Sequence, residues 1–269
     1  VGLDNNLALV SASARYFDEE GLVDGADETV RFQRPRQLFA TISFDRRVLC
    51  DEVFVRELLE GYVAAAPGVY GYWVQVANLG SIPRPTDVRA LSNFLYELER
   101  RTEKPVVPDR LGQLGLGFLA SGLSGYCIGT GAPEFFRHPR SISIGADGSK
   151  PKGFALVAYH GGYLRNFQTR GPYAQRGADA FARLHCDCAF HEPGEPPAGN
   201  VAKKLHCFHC RVVQTAAVLA GSPAENRRTF LELIASAEQE SRMLDGDLRL
   251  YAALRETLPP EAAEATANG

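Results

Sequence analysis

What this chain lacks narrows its class before any motif is read. No run of about 18 apolar residues occurs, and no basic stretch leads into an apolar one near residue 1, so neither a membrane span nor a secretory signal is expected. Basic residues are not in excess: 29 Lys and Arg stand against 32 Asp and Glu, for a net charge of −3 and a pI near 6.1. A dedicated nucleic-acid binder would show the opposite balance, although local basic patches remain compatible with these totals. Neither a Walker motif nor a dinucleotide fingerprint is present, and Gly129-Thr130-Gly131 alone is a weak phosphate signal. These absences point to a cytoplasmic protein without a membrane partner.

With 269 residues, 45% hydrophobic and 23% charged, the chain can bury one large core or two modest ones. It starts on Val rather than Met, which reads as a trimmed chain or a piece of a longer one. Free thiols are the norm in the cytosol, so Cys50 and Cys127 are expected unpaired.

Residues 1–37 hold a short apolar run at 7–10, an acidic stretch, and Arg31, Arg34 and Arg36. From residue 38 the pattern alternates. Apolar β-type runs at 38–44, 71–77, 105–108, 125–129 and 154–159 are separated by segments with helical spacing at 53–62, 85–98 and 111–123. Strands apolar on both faces and joined by helices imply a parallel sheet covered by helices. Five β units, with a sixth near residues 7–12, fall short of the eight that close a (β/α)₈ barrel. The alternatives are a TIM-barrel-like α/β domain incomplete at its N-terminus, or an open doubly wound sheet. The compressed units between 105 and 131, with small residues at Gly115, Gly117, Ala120, Ser121 and Gly122, favour the barrel by analogy. The division expected is a barrel-like domain over 1–184, a zinc-binding helical subdomain over 185–257, and a disordered tail over 258–269.

Active sites of parallel α/β folds lie at the carboxyl ends of the strands. That rule nominates Asp45 and Asp109 as catalytic carboxylates and Arg46, Arg47, Asn78, Arg110 and His160 as substrate-binding groups, with Thr130 beside them. Each has a plain alternative: an aspartate followed by arginine can be a local ion pair, Asn78 suits a turn, and His160 before two glycines can be a satisfied turn residue.

Residues 185–210 carry four of the six cysteines and four of the six histidines. Two short clusters, His185-Cys186-Asp187-Cys188-Ala189-Phe190-His191 and Leu205-His206-Cys207-Phe208-His209-Cys210, are joined by a Pro/Gly-rich spacer. Thiolate and imidazole are the donors Zn²⁺ prefers, and a structural zinc needs four of them. Cys186 and Cys188 fit a turn that aims both sulfurs at one ion. The other two ligands are open among His191, His206, His209, Cys207 and Cys210. If 205–216 is helical, Leu205, Phe208, Val212 and Ala216 share an apolar face that should meet the core, with His209 bordering it, His206 further round on the same side, and Cys207 and Cys210 pointing away. That choice gives Cys186, Cys188, His191 and His206, with Cys210 the strongest substitute. A turn at 205–210 would instead select an all-cysteine set.

A barrel-like run of βα units, then Cys-x-Cys-x-x-ligand, a later Leu-His and terminal helices resembles the tRNA-guanine transglycosylase family. The motif-bearing part covers residues 186–206. The family's third ligand is cysteine where this chain has His191, and its gap to the last histidine is longer. The resemblance implies a structural zinc, nucleic acid as partner, and base exchange through an aspartate that attacks the glycosidic carbon, with Arg46, Arg47 and Arg110 on phosphates. The other readings are a zinc-stabilised binding scaffold without catalysis, and a barrel enzyme for a small anionic metabolite.

Overall fold

The computed structural model describes residues 16–17, 37–80, 82–127 and 157–259. The element expected near 7–12, Thr130 with its flanking glycines, and the tail beyond residue 259 lie outside the described residues.

Four strands form the larger sheet in the order β1 (Tyr16–Phe17), β2 (Gln37–Asp45), β3 (Gly71–Ala77), β4 (Val106–Asp109). β1 runs antiparallel to β2, whereas β2, β3 and β4 are parallel neighbours. A single parallel bridge from Asp109 to Cys127 continues the sheet past β4. Each parallel strand is therefore laid beside the one before it, and the sheet does not close into a barrel among the described residues.

The helices between these strands follow from the sequence. Helix α1 (Glu52–Ala65) starts where the Asp51 side chain accepts from Phe54 N. It stops before Pro67. Helix α2 (Pro85–Thr102) has Pro in its first turn, a position that loses no hydrogen bond, and buries Val88, Leu91, Phe94, Leu95 and Leu98 in one stripe. One sheet face, with Ala40, Ile42, Tyr72, Val74, Val76 and Val106, is buried in the main core. The opposite face carries Thr41, Ser43, Trp73, Gln75 and Val107, which keep some exposure.

Helix α3 (Leu114–Ala120) shows why this segment is so rich in small residues. A Cβ on Gly117 would lie 2.0 Å from Thr257 Oγ1 and 2.7 Å from Phe230 Cζ, and one on Gly115 would meet the Tyr126 ring at 2.3 Å. Close approach brings the C-terminal helices into the main core. Phe230, Ile234 and Ala237 of α6 (Pro223–Leu244) and Leu250, Tyr251 and Leu254 of α7 (Arg249–Arg255) pack there with Leu91 and Leu95. Ser92 Oγ and Tyr96 OH donate to Thr257 O at 3.2 and 2.8 Å, and Arg89 forms a two-bond pair with Glu256.

One expected parallel strand takes another form. The sequence predicts a further parallel strand at 154–159, of which 154–156 lie outside the described residues, but β5 (Val157–His160) pairs antiparallel with β6 (Arg165–Gln168), as a separate two-stranded sheet. A tight 3-10 turn at Gly161–Tyr163 joins them and leaves no room for a crossover helix. His160 is thus not at the carboxyl end of a parallel strand. Helices α4 (Ala174–Arg183) and α5 (Gly199–Val218) follow, separated by residues 184–198, which carry neither helix nor strand. No helix among the described residues is long and apolar enough to cross a membrane.

Candidate metal centre

Helix α5 starts at Gly199, so the segment from Leu205 onward is helical, but it faces the other way from the expectation. Leu205, Phe208 and Val212 are 44%, 60% and 49% exposed. The buried side holds Lys203, His206, Cys207, Cys210, Arg211, Gln214 and Val218. Polar side chains can line this face because most have partners there. Gln214 Nε2 donates to Gly161 O at 2.9 Å while its Oε1 accepts from Tyr159 OH, also at 2.9 Å. The Arg211 guanidinium stacks 3.9 Å above the Tyr159 ring, a cation–π contact.

His206 is fully buried at the centre of this face. Its Nε2 lies 2.7 Å from Tyr159 O, which makes Nε2–H the donor and leaves the Nδ1 lone pair free. Nδ1 stands 3.1 Å from Cys188 Sγ and 3.9 Å from Cys186 Sγ. His191 repeats the arrangement with the nitrogens exchanged: Nδ1 is 2.9 Å from Glu192 O, and Nε2 is buried without a hydrogen-bond partner. The two rings meet edge to face at 4.7 Å, and Phe181 packs against both. One donor atom from each of Cys186, Cys188, His191 and His206 lies within 4.8 Å of the other three. This Cys₂His₂ group could hold a metal ion.

Electrostatics favour that use. Burial outweighs the bond to Tyr159 O and holds the His206 pKa down at about 4, so its ring is neutral at pH 7, as a ligand must be. Burial pushes the Cys188 and Cys210 thiols up. Without a cation these sulfurs stay protonated. Two thiolates balance the charge of a divalent ion, so the loaded group has no net charge to desolvate.

The remaining residues of the two clusters fall outside the group. His185 is exposed, His209 packs against Phe190, and Cys207 lies in the small cluster around Tyr159. His160 is buried next to this centre: Nε2 is 2.8 Å from Leu184 O, and its ring lies 4.6 Å from Phe181. Burial lowers its pKa to about 4 as well. Only one of its ring nitrogens has a partner, since Nδ1 is buried without a hydrogen bond.

At the carboxyl ends of the parallel strands the other nominated residues do come together. Asp45 Oδ1 accepts from Arg47 N and Nε at 3.0 and 2.9 Å, and Oδ2 from Asn78 Nδ2 at 2.6 Å. Burial acts to raise its pKa, but these bonds prevail and hold it at about 2. Asp109 is buried, accepts from Gln75 Nε2 at 2.6 Å, and lies 3.7 Å from Arg110 Nε. Arg46 pairs with the buried Asp87, which also takes two bonds from Arg84. All three arginines nominated for phosphates thus face carboxylates. Asn78 and Arg110, each directly after a strand, have φ of 63° and 54°, a left-handed conformation that suits Asn and is uncommon for Arg.

Sequence reading missed Ser43, Gln75, Asp87 and Phe181. Ser43 Oγ donates to Gln75 Oε1 at 3.0 Å, so Ser43, Gln75 and Asp109, which the register aligns, form one polar row across three strands. The available signal was Gln75 as the lone polar side chain in the run 71–77, and Ser43 beside Thr41 in the run 38–44. Comparison with family models, with curated proteins and with solved structures gave no match to this chain.

Proposed function

We propose that Cys186, Cys188, His191 and His206 hold one structural Zn²⁺ that fastens residues 184–198 to β5 and to helix α5. The observation that carries this reading is the tautomer pattern: each imidazole gives one N–H to a backbone carbonyl and turns its other nitrogen to the two thiols. Backbone carbonyls of this kind orient ligating histidines in metal sites, and a soft N₂S₂ donor set suits zinc. With all four positions taken by protein, the ion supports the fold and not chemistry. Elemental analysis of purified wild type and of Cys188→Ser with His206→Ala tests it: one zinc per chain, lost in the variant, is expected, and a metal-free wild type prepared without chelator overturns it.

For the whole chain we propose an incomplete (β/α) barrel with base-exchange chemistry at the carboxyl ends of its strands. Sequential laying of parallel strands supports barrel-type winding, and the buried Asp109 in its row with Gln75 and Ser43 supports a positioned carboxylate. Asp109 would be the attacking group and Asn78 and Arg110 would border the substrate. Incorporation of labelled base into nucleic acid, lost in Asp109→Asn at unchanged melting temperature, is the expected result. The second reading, a zinc-stabilised binding scaffold, is favoured by the saturation of Asp45 and the pairing of Arg46, Arg47 and Arg110 with carboxylates. It predicts no incorporation in wild type.

A further inference from the structure

Helix α5 leaves a long apolar face to solvent. Half of the large hydrophobic side chains exposed among the described residues lie on this helix or at its C-cap, and Val201 and Leu219, near its two ends, are 72% and 46% exposed. Such a concentration on one element is a patch and not the usual scatter. Along the helix the exposed line reads Val201, Leu205, Phe208, Val212, Thr215, Leu219, in alternating steps of four and three residues. At about 100° per residue these six stay within about 40° of one line. A repeat of this kind is the seam of a coiled coil, narrower than the stripe a helix turns to its own core. Thr215, the one polar member, has its hydroxyl 2.9 Å from Tyr126 OH, so covering the seam strands no hydroxyl.

The seam fits a second copy of itself. Its positions are symmetric about residue 210, so two α5 helices laid antiparallel across a two-fold axis set Val201 against Leu219, Leu205 against Thr215 and Phe208 against Val212. An interface of that kind uses the same surface on both subunits. Charge selects the antiparallel direction. Helix α5 contains no acidic residue, and of its cations Lys203 and Arg211 are buried within the chain, which leaves Lys204 beside the seam. Antiparallel pairing keeps the two copies of Lys204 roughly 18 Å apart along the axis, beyond the screening distance of about 8 Å; parallel pairing would press them together. An unlike partner that recognises charge finds a single cation to read on this face. At these exposures the apolar side chains present on the order of 500 Å² per copy, so two copies reach the roughly 1,000 Å² that a specific interface needs. We propose that the chain forms a two-fold homodimer through antiparallel α5 helices. An area at that lower end fits a dimer that dissociates on dilution. The assignment stands on the seam and does not depend on the metal reading.

Sedimentation of the full chain over a dilution series from about 100 μM to about 1 μM reads this directly. Wild type should pass from the mass of two chains to that of one. Phe208→Asp, and separately Val212→Lys, puts a charge at the centre of the seam and should weaken association about thirtyfold or more, the scale of an interface hot spot. Both variants should keep the circular dichroism and melting temperature of dilute wild type, which separates a lost interface from a lost fold. Hydroxyl-radical footprinting of wild type needs no variant: Leu205 and Phe208 should be protected at high concentration and modified at low, and equal modification at both would overturn the dimer. Val53→Ser, at an exposed position on α1, should leave association unchanged. Lys204→Glu should change it by no more than about twofold, since its copies lie apart; a large change would overturn the antiparallel direction. Wild type with the mass of one chain at every concentration overturns the dimer and assigns the face to another segment of the chain or to an unlike partner. A dimer that survives both seam variants overturns it too, by placing the interface elsewhere.

Discussion

Two of the three buried clusters among the described residues differ sharply in chemistry. The larger one is aliphatic and aromatic, spans the parallel sheet and helices α1, α2, α3, α6 and α7, and closes by shape. The smaller one joins Tyr159, Cys186, Cys207 and Cys210 next to His206 and Phe181, and its buried atoms are sulfur and imidazole nitrogen as much as carbon. Apolar area stabilises a core at roughly 25 cal/mol per Å². A core of this second kind has little such area to remove from water and needs bonds instead. Hydrogen bonds to Tyr159 O and Gly161 O supply some of them. The rest would fall to the proposed metal ion.

That contrast can be broken in order of expected effect. Stripping the metal with a chelator should leave amide exchange in α2 slow while residues 184–198 and the first turns of α5 lose protection, with a loss of several kcal/mol in the stability of that region. Uniform loss across the chain would mean the cores are not separate. Phe230→Ala opens a hole in the larger core and should cost about 3–5 kcal/mol; chemical denaturation should give the same cost with and without zinc, because distant sites are additive. Gly117→Val drives a side chain into Thr257 and Phe230, and a penalty of about 1–3 kcal/mol or more is expected, read as a lower melting temperature with metal content unchanged.

The smaller effects sharpen the edges. Asp45 has a folded-state pKa of about 2, below its ordinary 3.8. The unfolded chain therefore binds the proton first, so the contribution of Asp45 is complete above about pH 4 and is lost as pH falls through 2. The difference in unfolding free energy between wild type and Asp45→Asn should shrink over that window; a difference independent of pH would show that the carboxylate owes nothing to its ionisation. Phe208→Ser, on the exposed side of α5, should shift the stability of the dilute chain by no more than about 0.5 kcal/mol. A larger fall in a thermal melt would place that side chain in a contact of its own.

Which parts of this were legible in the sequence depended on what the local signals encode. β3 and α2 were readable almost to the residue because Gly71, Asn78 and Pro85 punctuate strongly periodic runs. The convergence of Cys186, Cys188, His191 and His206 was readable because thiol and imidazole in two close clusters have few other uses. The face of α5 was not. Hydrophobic side chains normally turn inward, and Leu205, Phe208 and Val212 spell an inward stripe; only the partners of His206 and Gln214, distant in sequence, make the polar side the buried one. The direction of β5 was equally hidden, because β6 reads Arg-Asn-Phe-Gln, a composition that does not announce a strand.

The bonds at Thr257 carry a consequence for the timing of folding. Its carbonyl takes hydroxyl bonds from Ser92 and Tyr96 on α2, and its side chain lies over Gly117 on α3. Helices that emerge from the ribosome early thus await a partner made some 150 residues later, a separation visible in the bond from Tyr96, 161 positions away. Domains usually fold as they are synthesised, from the N-terminus on. Here the larger core cannot finish until the chain through Thr257 has been released, so the βα units must stay soluble in an unfinished state, and a stop codon just upstream of residue 257 would leave them there.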